Sequence, residues 1–237
     1  MFTSMKKTVI ITGATKGIGR ALAEKFATEQ FNLALCARSE KDLKALKTEL
    51  AGKGFEILAQ KCDVSKPLEL KLFAQKINQS FKTVDVLINN AGVFIPGQIY
   101  NEKPGVLEKL IETNLYSAYK LSRHLLPAMM KKKNGHIFNI CSVASKQAYP
   151  DGGSYSISKF ALLGFSKALR EELKPFNIRV TSVVPGATLT DSWKGTDLPP
   201  SRFMKAEDIA KSIWDIYNLS ESTVVEEIVL RPVLGDL

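Results

Sequence analysis

Two residues at helical spacing could move a proton to or from a bound carbonyl or alcohol. Tyr155 and Lys159 are four residues apart, and residues at this spacing share one helix face. A free tyrosine has a pKa of about 10, and a nearby ammonium favours the phenolate and lowers that pKa. Ser142, at the end of a predicted strand, could hydrogen-bond the same oxygen. Tyr–Lys pairs at this spacing are usually structural, so the spacing alone does not establish a site.

A glycine-rich turn, TGATKGIG at 12–19, follows the first apolar run of the chain. Gly13, Gly17 and Gly19 permit a tight turn and a close approach of the backbone to a phosphate. The helix predicted after the turn presents its N-terminal amides and the positive end of its dipole to a pyrophosphate. A glycine trio is a weak signal alone, and its position between a first strand and a first helix strengthens it.

The end of the second predicted strand indicates which dinucleotide is bound. In NAD binders a carboxylate at this point accepts hydrogen bonds from the ribose 2′-hydroxyl. Here the sequence is LCARSE, which places Arg38 there, and a guanidinium forks onto a 2′-phosphate. Lys16 borders the same pocket, and Ser39 can donate a further hydrogen bond. The pattern predicts NADP(H); the alternative is that Lys16 and Arg38 are ordinary surface charges.

These residues must be positioned by strand-like apolar runs that alternate with helix-period segments. Strands are predicted at 8–12, 32–37, 55–60, 84–89, 135–141, 178–184 and 223–230. Helices are predicted at about 17–30, 40–50, 67–79, 154–174 and 206–218, with two more helical segments ending at Lys133. The alternation predicts an α/β, doubly wound Rossmann-like fold, with a seven-stranded parallel sheet and helices on both faces. We expect one domain over 1–237, with a substrate loop at about 186–205.

Composition limits the other classes of function. The formal net charge is +9, from 33 basic and 24 acidic residues, and we interpret most of it as scattered solvated lysines. There is no basic stripe with interleaved aromatics and no apolar stretch of membrane length, so we predict neither nucleic acid nor membrane as a partner. Three distant cysteines, two histidines and no secretory signal pattern predict no metal site and a cytoplasmic location. A serine hydrolase is disfavoured because no GxSxG motif occurs.

Taken together, the motifs resemble the short-chain dehydrogenase/reductase family, in its NADP-preferring single-domain form. The matching segments are TGATKGIG (12–19), CDV (62–64), NNAG (89–92), Asn114, CSVAS (141–145), YSISK (155–159) and PGATLT (185–190). They occur in the family's order and spacing over nearly the whole chain. The combined pattern is far more specific than any one segment.

The resemblance implies a catalytic group of four residues. Tyr155 would be the general acid in reduction and the base in oxidation, and Ser142 would polarise the carbonyl oxygen. Lys159 would lower the pKa of the tyrosine and bind the nicotinamide ribose, and Asn114 would hold a water in a proton relay. The implied reaction is a metal-free hydride transfer between the nicotinamide and a carbonyl or alcohol, as in a ketone or 3-oxoacyl reductase.

The resemblance also implies the residues that bind the cofactor. Asp63 and Val64 would contact the adenine, Thr188 and Thr190 would contact the carboxamide, and Asn89 would brace Thr12. The complete set is Gly13, Thr15, Lys16, Gly17, Ile18, Gly19, Arg38, Ser39, Asp63, Val64, Asn90, Ala91, Gly92, Tyr155, Lys159, Pro185, Gly186, Thr188 and Thr190.

The substrate remains open at this level. Phe94, Val143, Tyr149 and Trp193 are expected to wall the pocket, and the aromatic residues suit an apolar or aromatic-tolerant site, although packing explains each equally well. A 3-oxoacyl thioester, a steroid-like or polyol ketone and a pterin side-chain ketone are all candidates. The alternative function is a non-catalytic NADP(H)-binding sensor. By resemblance we expect a homo-oligomer, a dimer or a homotetramer, paired through helices at about 112–133 and 154–174.

Overall fold

The computed structural model describes residues 6–52, 54–193 and 195–236, and these form one parallel sheet with helices on both faces. The sheet has seven strands in the order β3-β2-β1-β4-β5-β6-β7. Their bounds are β1 Thr8–Thr12, β2 Asn32–Ala37, β3 Ile57–Lys61, β4 Val86–Asn89, β5 Gly135–Ile140, β6 Ile178–Pro185 and β7 Glu227–Leu230. The predicted doubly wound Rossmann-like fold is confirmed.

The helices connect successive strands. They are α1 Gly17–Thr28, α2 Glu40–Leu50, α3 Pro67–Ser80, α4 Val106–Ile111, α5 Ser117–Lys132, α6 Gly153–Leu173 and α7 Ala206–Tyr217. A π-helical turn, Glu112–Tyr116, joins α4 to α5 without a break in the helical path. The two helical segments predicted before Lys133 are therefore present, and the turn between them carries Asn114.

The first strand shows how the sheet is held between two hydrophobic layers. Side chains alternate across a strand, so Val9 and Ile11 face one layer and Ile10 faces the other. The first layer is built by α1, α2 and α7, with Phe26 at its centre. The second is built by α3, α5 and α6, with Phe73 fully buried. Because both faces are covered, the central strands are continuous apolar runs, which is why they could be recognised from sequence.

Four strands are shorter than the sequence predicted, and β4 and β7 differ most. The predicted fourth strand began at Val84, but β4 begins at Val86; just before it, the Asp85 carboxylate accepts the Thr8 N–H at 2.8 Å. The last strand was predicted from Thr223, but only Glu227–Leu230 pairs with β6. Residues before Glu227 contact the sheet through isolated bonds, such as the 2.6 Å bond from the Thr181 hydroxyl to the Val225 carbonyl.

Candidate functional site

A cavity of about 900 Å³ opens at the carboxyl ends of the strands, where the strand order reverses between β1 and β4. In parallel sheets this is the place where ligands bind, because all the strand-to-helix loops meet there. The cavity brings together nearly all the residues that the sequence selected. Those that line it are Gly13, Thr15, Lys16, Gly17, Ile18, Arg38, Ser39, Asp63, Val64, Asn90, Ala91, Gly92, Phe94, Ser142, Val143, Tyr149, Tyr155, Lys159, Pro185, Gly186, Thr188, Thr190 and Trp193.

Two residues that the sequence analysis assigned to the site lie behind the cavity wall, and several residues that line the cavity were not predicted. Gly19 and Asn114 support the cavity from its outer side. The missed lining residues with polar side chains include Asp42, Lys109, Thr113, Gln147, Asp191, Arg231 and Asp236. Thr113 could have been found from its position beside Asn114. Arg231 and Asp236 follow the last strand, and no sequence signal indicates that this segment turns back to the cavity.

The glycine-rich turn is built as the sequence predicted. Gly13 and Gly17 have positive φ values of 67° and 49°, a region that glycine enters without strain. A Cβ on Gly19 would lie 2.2 Å from the Gly13 carbonyl oxygen, so only glycine fits where α1 packs against the turn. A Cβ on Gly17 would lie 2.8 Å from Thr190, which places the loop after β6 directly against this turn.

A different asparagine from the one expected braces the turn. The side chain of Asn90 donates to the Thr12 carbonyl at 2.9 Å, and the Asn90 and Ala91 amides donate to the Thr12 hydroxyl at 3.1 Å and 3.0 Å. The assignment of this role to Asn89 was wrong. As the last residue of β4, Asn89 points to the opposite face, where it donates to Asn139 at 2.8 Å.

The N-terminus of α1 is suited to an anionic group. No side chain caps it, and no acidic residue lies in its first turn, so its amides and its positive dipole end face the cavity. Lys16 and Arg38 are both exposed at this end of the cavity. Lys16 donates to the Asp191 carboxylate at 2.8 Å, and this bond raises the pKa of Lys16 above its ordinary value.

Two neighbours of Arg38 define the rest of this end of the cavity. The Ser39 hydroxyl caps α2 by accepting the Asp42 N–H at 3.2 Å, which leaves its own proton available to a ligand. Burial by itself would raise the pKa of Asp63, but two hydrogen bonds from Ser65, with help from the Arg38 charge, hold that pKa below its ordinary value. Asp63 is therefore an anionic acceptor beside Arg38.

Ser142, Tyr155 and Lys159 meet at the other end of the cavity. The Ser142 hydroxyl accepts the Ala144 N–H at 3.1 Å, and this bond orients the short helical turn after β5. Lys159 is almost fully buried and donates to the Ile140 carbonyl at 2.9 Å. Its ammonium nitrogen lies 5.9 Å from the centre of the Tyr155 ring. A hydroxyl, a phenol and an ammonium thus surround one point of the cavity wall.

Burial dominates the ionisation of this group. It lowers the pKa of Lys159 to about 8 and raises the pKa of Tyr155, while a hydrogen bond with Ser142 acts on Tyr155 in the opposite direction. The expectation that Lys159 lowers the pKa of Tyr155 is therefore not met in this structure. The Lys159 ammonium bonds to the Ile140 carbonyl, and burial of the phenol is the largest cause acting on the Tyr155 pKa. Tyr155 is a protonated donor at neutral pH.

Asn114 is held firmly by the π-helical turn. Its side-chain oxygen accepts the Val93 N–H at 2.8 Å, and its amide donates to the Val93 carbonyl and to the Ser158 hydroxyl, both at 3.0 Å. Gly92 separates it from Lys159, because a Cβ there would lie 3.3 Å from Asn114 and 3.5 Å from the Lys159 nitrogen. Asn114 thus links the loop after β4 to α6.

Aromatic side chains form the wall beyond Tyr155. The Phe94 ring packs edge-on against the Tyr155 ring, with 4.9 Å between centres, and Trp193 packs on buried Phe203 at 5.1 Å. Burial raises the pKa of Tyr149 to about 12, so this phenol is neutral. This part of the cavity wall is therefore largely aromatic.

Within the described ranges, no group of three or more His, Cys, Asp and Glu side chains is placed to hold a metal ion. In the part of the chain that the structure describes, no helix combines the length and the apolar character needed to span a bilayer.

The sequence and the fold are similar to those of known proteins. The family model described as short chain dehydrogenase matches residues 7–199. Sepiapterin reductase of Chlorobaculum tepidum is 34% identical over 241 residues, which cover 98% of this chain and 99% of that protein. The 3-oxoacyl-acyl-carrier-protein reductase FabG of Escherichia coli is 32% identical and covers 87% of this chain and 88% of its own length.

Solved structures show the same architecture. An alcohol dehydrogenase from the archaeon Thermococcus sibiricus, complexed with 5-hydroxy-NADP, superposes with a TM-score of 0.90 at 29% identity, over 98% of this chain and 99% of that chain. A metagenomic short-chain oxidoreductase in complex with NADP superposes with a TM-score of 0.84 at 32% identity, over 97% and 98% of the two chains. The glycine-rich turn, the Ser142–Tyr155–Lys159 group and this agreement over nearly the full length lead to one conclusion: the chain belongs to the short-chain dehydrogenase family.

Proposed function

We propose that the chain is an NADPH-dependent reductase of ketones or aldehydes, with Ser142, Tyr155, Lys159 and Asn114 as its catalytic group. The observation that carries the proposal is the shared cavity, which has the glycine-rich turn and two cations at one end and Ser142, Tyr155 and Lys159 at the other. NADP(H) fits the uncapped N-terminus of α1 and the Lys16–Arg38 pair. The NADP complexes among the similar structures support the same choice.

Each catalytic residue has a role that follows from its surroundings. Bound NADPH supplies the hydride. Ser142 donates a hydrogen bond to the carbonyl oxygen of the substrate, and Tyr155 delivers the proton to that oxygen because burial keeps its phenol protonated. Lys159 binds the ribose hydroxyls and returns a proton to Tyr155. The hydroxyls of Ser142 and Tyr155 polarise the carbonyl, so the proposal needs no metal.

Asn114 completes the group from behind. Both hydrogens of its amide are donated, to Val93 and to Ser158, and its oxygen accepts the Val93 N–H, so we assign it the task of holding the π-helical turn beside Lys159. A water bound at this turn would connect Lys159 to solvent. In reduction such a path would restore the proton that Tyr155 gives up.

The substrate class rests on the wall and on the relatives. Phe94, Tyr149 and Trp193 favour a carbonyl attached to an apolar or aromatic group. One relative is a sepiapterin reductase and another is a 3-oxoacyl-acyl-carrier-protein reductase, so pterin side-chain ketones and 3-oxoacyl thioesters head the panel to be tested. Steroid-like and polyol ketones complete it.

The test is NADPH consumption, followed at 340 nm, across this carbonyl panel. Wild type should oxidise NADPH only when a substrate is present, and Tyr155→Phe should bind NADPH equally but turn over about 10²–10⁴-fold more slowly. Tight NADPH binding by wild type without turnover on any substrate would instead support the non-catalytic sensor.

We also propose that the chain forms a homo-oligomer, a dimer or a tetramer. Exposed apolar side chains on the helices α5 and α6 support the proposal: Tyr119 on α5, Ile157 and Phe160 on α6, and Tyr116 just before α5 face solvent. A helix-paired oligomer would cover them. Light scattering that gave a 26.2 kDa particle, the mass of one chain, would contradict this.

A cytoplasmic location and a single domain are further proposals. Cys36, Cys62 and Cys141 are buried and free, as is usual where thiols are kept reduced. Fractionation of cells that express the protein tests its location. A single cooperative unfolding transition over the whole chain tests the domain organisation.

A further inference from the structure

The helix that carries Tyr155 and Lys159 begins without a cap of its own. Its N-cap residue is Gly152, which has no side chain, and its first turn contains no acidic residue. The first N–H groups of a helix have no acceptor within the helix, so they must find partners elsewhere. The start of α6 therefore depends on a residue from another part of the chain.

Glu102 supplies this partner from 52 residues earlier in the chain. One oxygen of its carboxylate accepts the Ser154 N–H at 2.9 Å, and the other accepts the Ser154 hydroxyl proton. A carboxylate at this place also satisfies the positive end of the helix dipole. Glu102 thus caps α6 through both of its oxygens, at the residue directly before Tyr155.

The contact is too close to admit any extra atom. A Cβ on Gly153 would lie 2.4 Å from the Glu102 carboxylate and 2.5 Å from the Gly97 carbonyl, and a Cβ on Gly97 would lie 2.9 Å from the Glu102 side chain. The Gly97 N–H donates to the Asp151 carbonyl at 2.9 Å. The backbone of the segment 93–105 therefore contacts the backbone at the start of α6, and the Glu102 side chain packs beside this contact.

The same segment carries Phe94, whose ring packs on Tyr155. Elsewhere the segment has little apolar burial to hold it, because Ile99 is 69% exposed and Tyr100 is 83% exposed. We propose that Glu102 is a positioning residue: it fastens the segment 93–105 to the first turn of α6 and so fixes Phe94 and Tyr155 relative to each other. The proposal rests on the proposed function, in which Tyr155 is the proton donor.

The test compares Glu102→Ala, Glu102→Gln and the control Glu108→Ala, which removes an exposed acid on the neighbouring helix α4. Three quantities are measured: kcat and KM for the best carbonyl substrate, the Kd of NADPH, and hydrogen exchange of peptides covering 93–105 and 153–160. Glu102→Ala should lower kcat between about tenfold and about a hundredfold, the effect of misplacing a reacting group, with the Kd of NADPH changed less than about twofold. Exchange should rise in both peptides.

The conservative variant Glu102→Gln distinguishes a loss of positioning from a general loss of structure. Glu102→Gln keeps one acceptor for the Ser154 N–H, so kcat should recover to within about fivefold of wild type. Gly153→Ala leaves Glu102 in place but drives a methyl group into its carboxylate, and it should reproduce the loss of kcat. Unchanged hydrogen exchange in Glu102→Ala would show that Glu102 does not fasten the segment 93–105 to α6. Raised exchange with unchanged kcat would overturn the positioning role.

A readout without substrate keeps this proposal separate from the proposed function. Phenolate absorbance at 295 nm, taken as the difference from the same protein with Tyr155→Phe, reports the ionisation of Tyr155 alone. Burial raises the pKa of Tyr155, so a loosened helix start that admits water should lower its titration midpoint in Glu102→Ala but not in Glu108→Ala. If wild type reduces nothing, the proposed function fails while this shift still supports the inference; an unchanged midpoint contradicts it.

Discussion

The Lys16 ammonium lies 2.8 Å from the Asp191 carboxylate, 175 residues later in the chain. This ion pair joins the glycine-rich turn after β1 to the loop after β6. The loop also carries Trp193 of the substrate wall. Lys16 is one of the two cations proposed to bind the 2′-phosphate, so the pair links cofactor binding to the loop that covers the substrate.

Replacing Asp191 should tighten NADPH binding. Lys16 must give up or share its bond to Asp191 when it binds a phosphate, and the Asp191 carboxylate repels that phosphate. Exposed ion pairs are weak, so Asp191→Asn should lower the Kd of NADPH by only about two- to fivefold and leave that of NADH unchanged. Fluorescence titration measures both, with Asp215→Asn on α7 as the control. Equal tightening of both cofactors would contradict this explanation.

Ser142→Ala tests the polarising hydroxyl. The substitution removes the donor to the substrate oxygen, and it should lower kcat about 10²–10³-fold, as the loss of one oxyanion donor does, with the Kd of NADPH unchanged. Ser80→Ala, at an exposed serine that ends α3 and does not line the cavity, is the control and should leave kcat unchanged. A kcat for Ser142→Ala within threefold of wild type would remove Ser142 from the mechanism.

Burial of Lys159 makes the protein less stable than it would be with an apolar residue there. The folded-state pKa of about 8 lies below the ordinary value of 10.5, so the unfolded chain binds more protons between these values. Stability should therefore rise as the pH increases from about 8 to 10.5, as far as this group is concerned. Lys159→Met should lose most activity, raise the free energy of unfolding at pH 7 and remove this part of the pH dependence. Urea unfolding at pH 7 and pH 9.5 measures both effects, and a destabilised Lys159→Met protein would contradict them.

The same ionisation predicts the pH dependence of the reaction. Lys159 must be charged to bind the ribose hydroxyls and return a proton to Tyr155. Carbonyl reduction should therefore decline as the pH rises through about 8. Lys159→Arg retains its charge, so it should move the decline to higher pH, although with a lower maximum rate. An identical alkaline limb in the two proteins would assign the decline to another group.

Two glycine substitutions should have opposite effects on stability. Gly19→Ala places a Cβ 2.2 Å from the Gly13 carbonyl, and it should destabilise the fold by about 1–3 kcal/mol, the usual cost of overpacking. Gly164→Ala in α6 meets open space and should stabilise it by about 0.5–1 kcal/mol, because alanine is the better helix former. Thermal or urea unfolding measures both, and a neutral Gly19→Ala would contradict the close packing.

The sequence predicted what depends on local pattern. β1, β2 and α2 have the predicted bounds because their apolar residues follow a strict period between clear turn residues. The glycine-rich turn and the Tyr155–Lys159 pair were found because their chemistry depends on spacing within a few residues. The cavity lining confirms that these separate motifs meet.

The sequence could not predict contacts between distant segments. Asn89 and Asn90 are adjacent and identical in type, and only the pleat of β4 decides which one reaches Thr12. Glu102 contacts Ser154 in α6, and nothing near Glu102 in the sequence indicates that contact. The pKa of Tyr155 was predicted in the wrong direction because spacing shows the lysine but not the extent of burial.

The most direct test of the central claim is a parallel fluorescence titration with NADPH and NADH, for wild type and for Arg38→Ala. Arg38 follows β2, three strands away from β5, which precedes Ser142, so its loss should act on recognition of the 2′-phosphate and not on the chemistry. The expected result is that wild type binds NADPH at least about tenfold more tightly than NADH, as a charge-assisted bidentate contact implies, and that Arg38→Ala removes most of this difference. Equal binding of the two cofactors by wild type would contradict the assignment of Lys16 and Arg38 to the 2′-phosphate and, with it, the NADPH dependence of the enzyme.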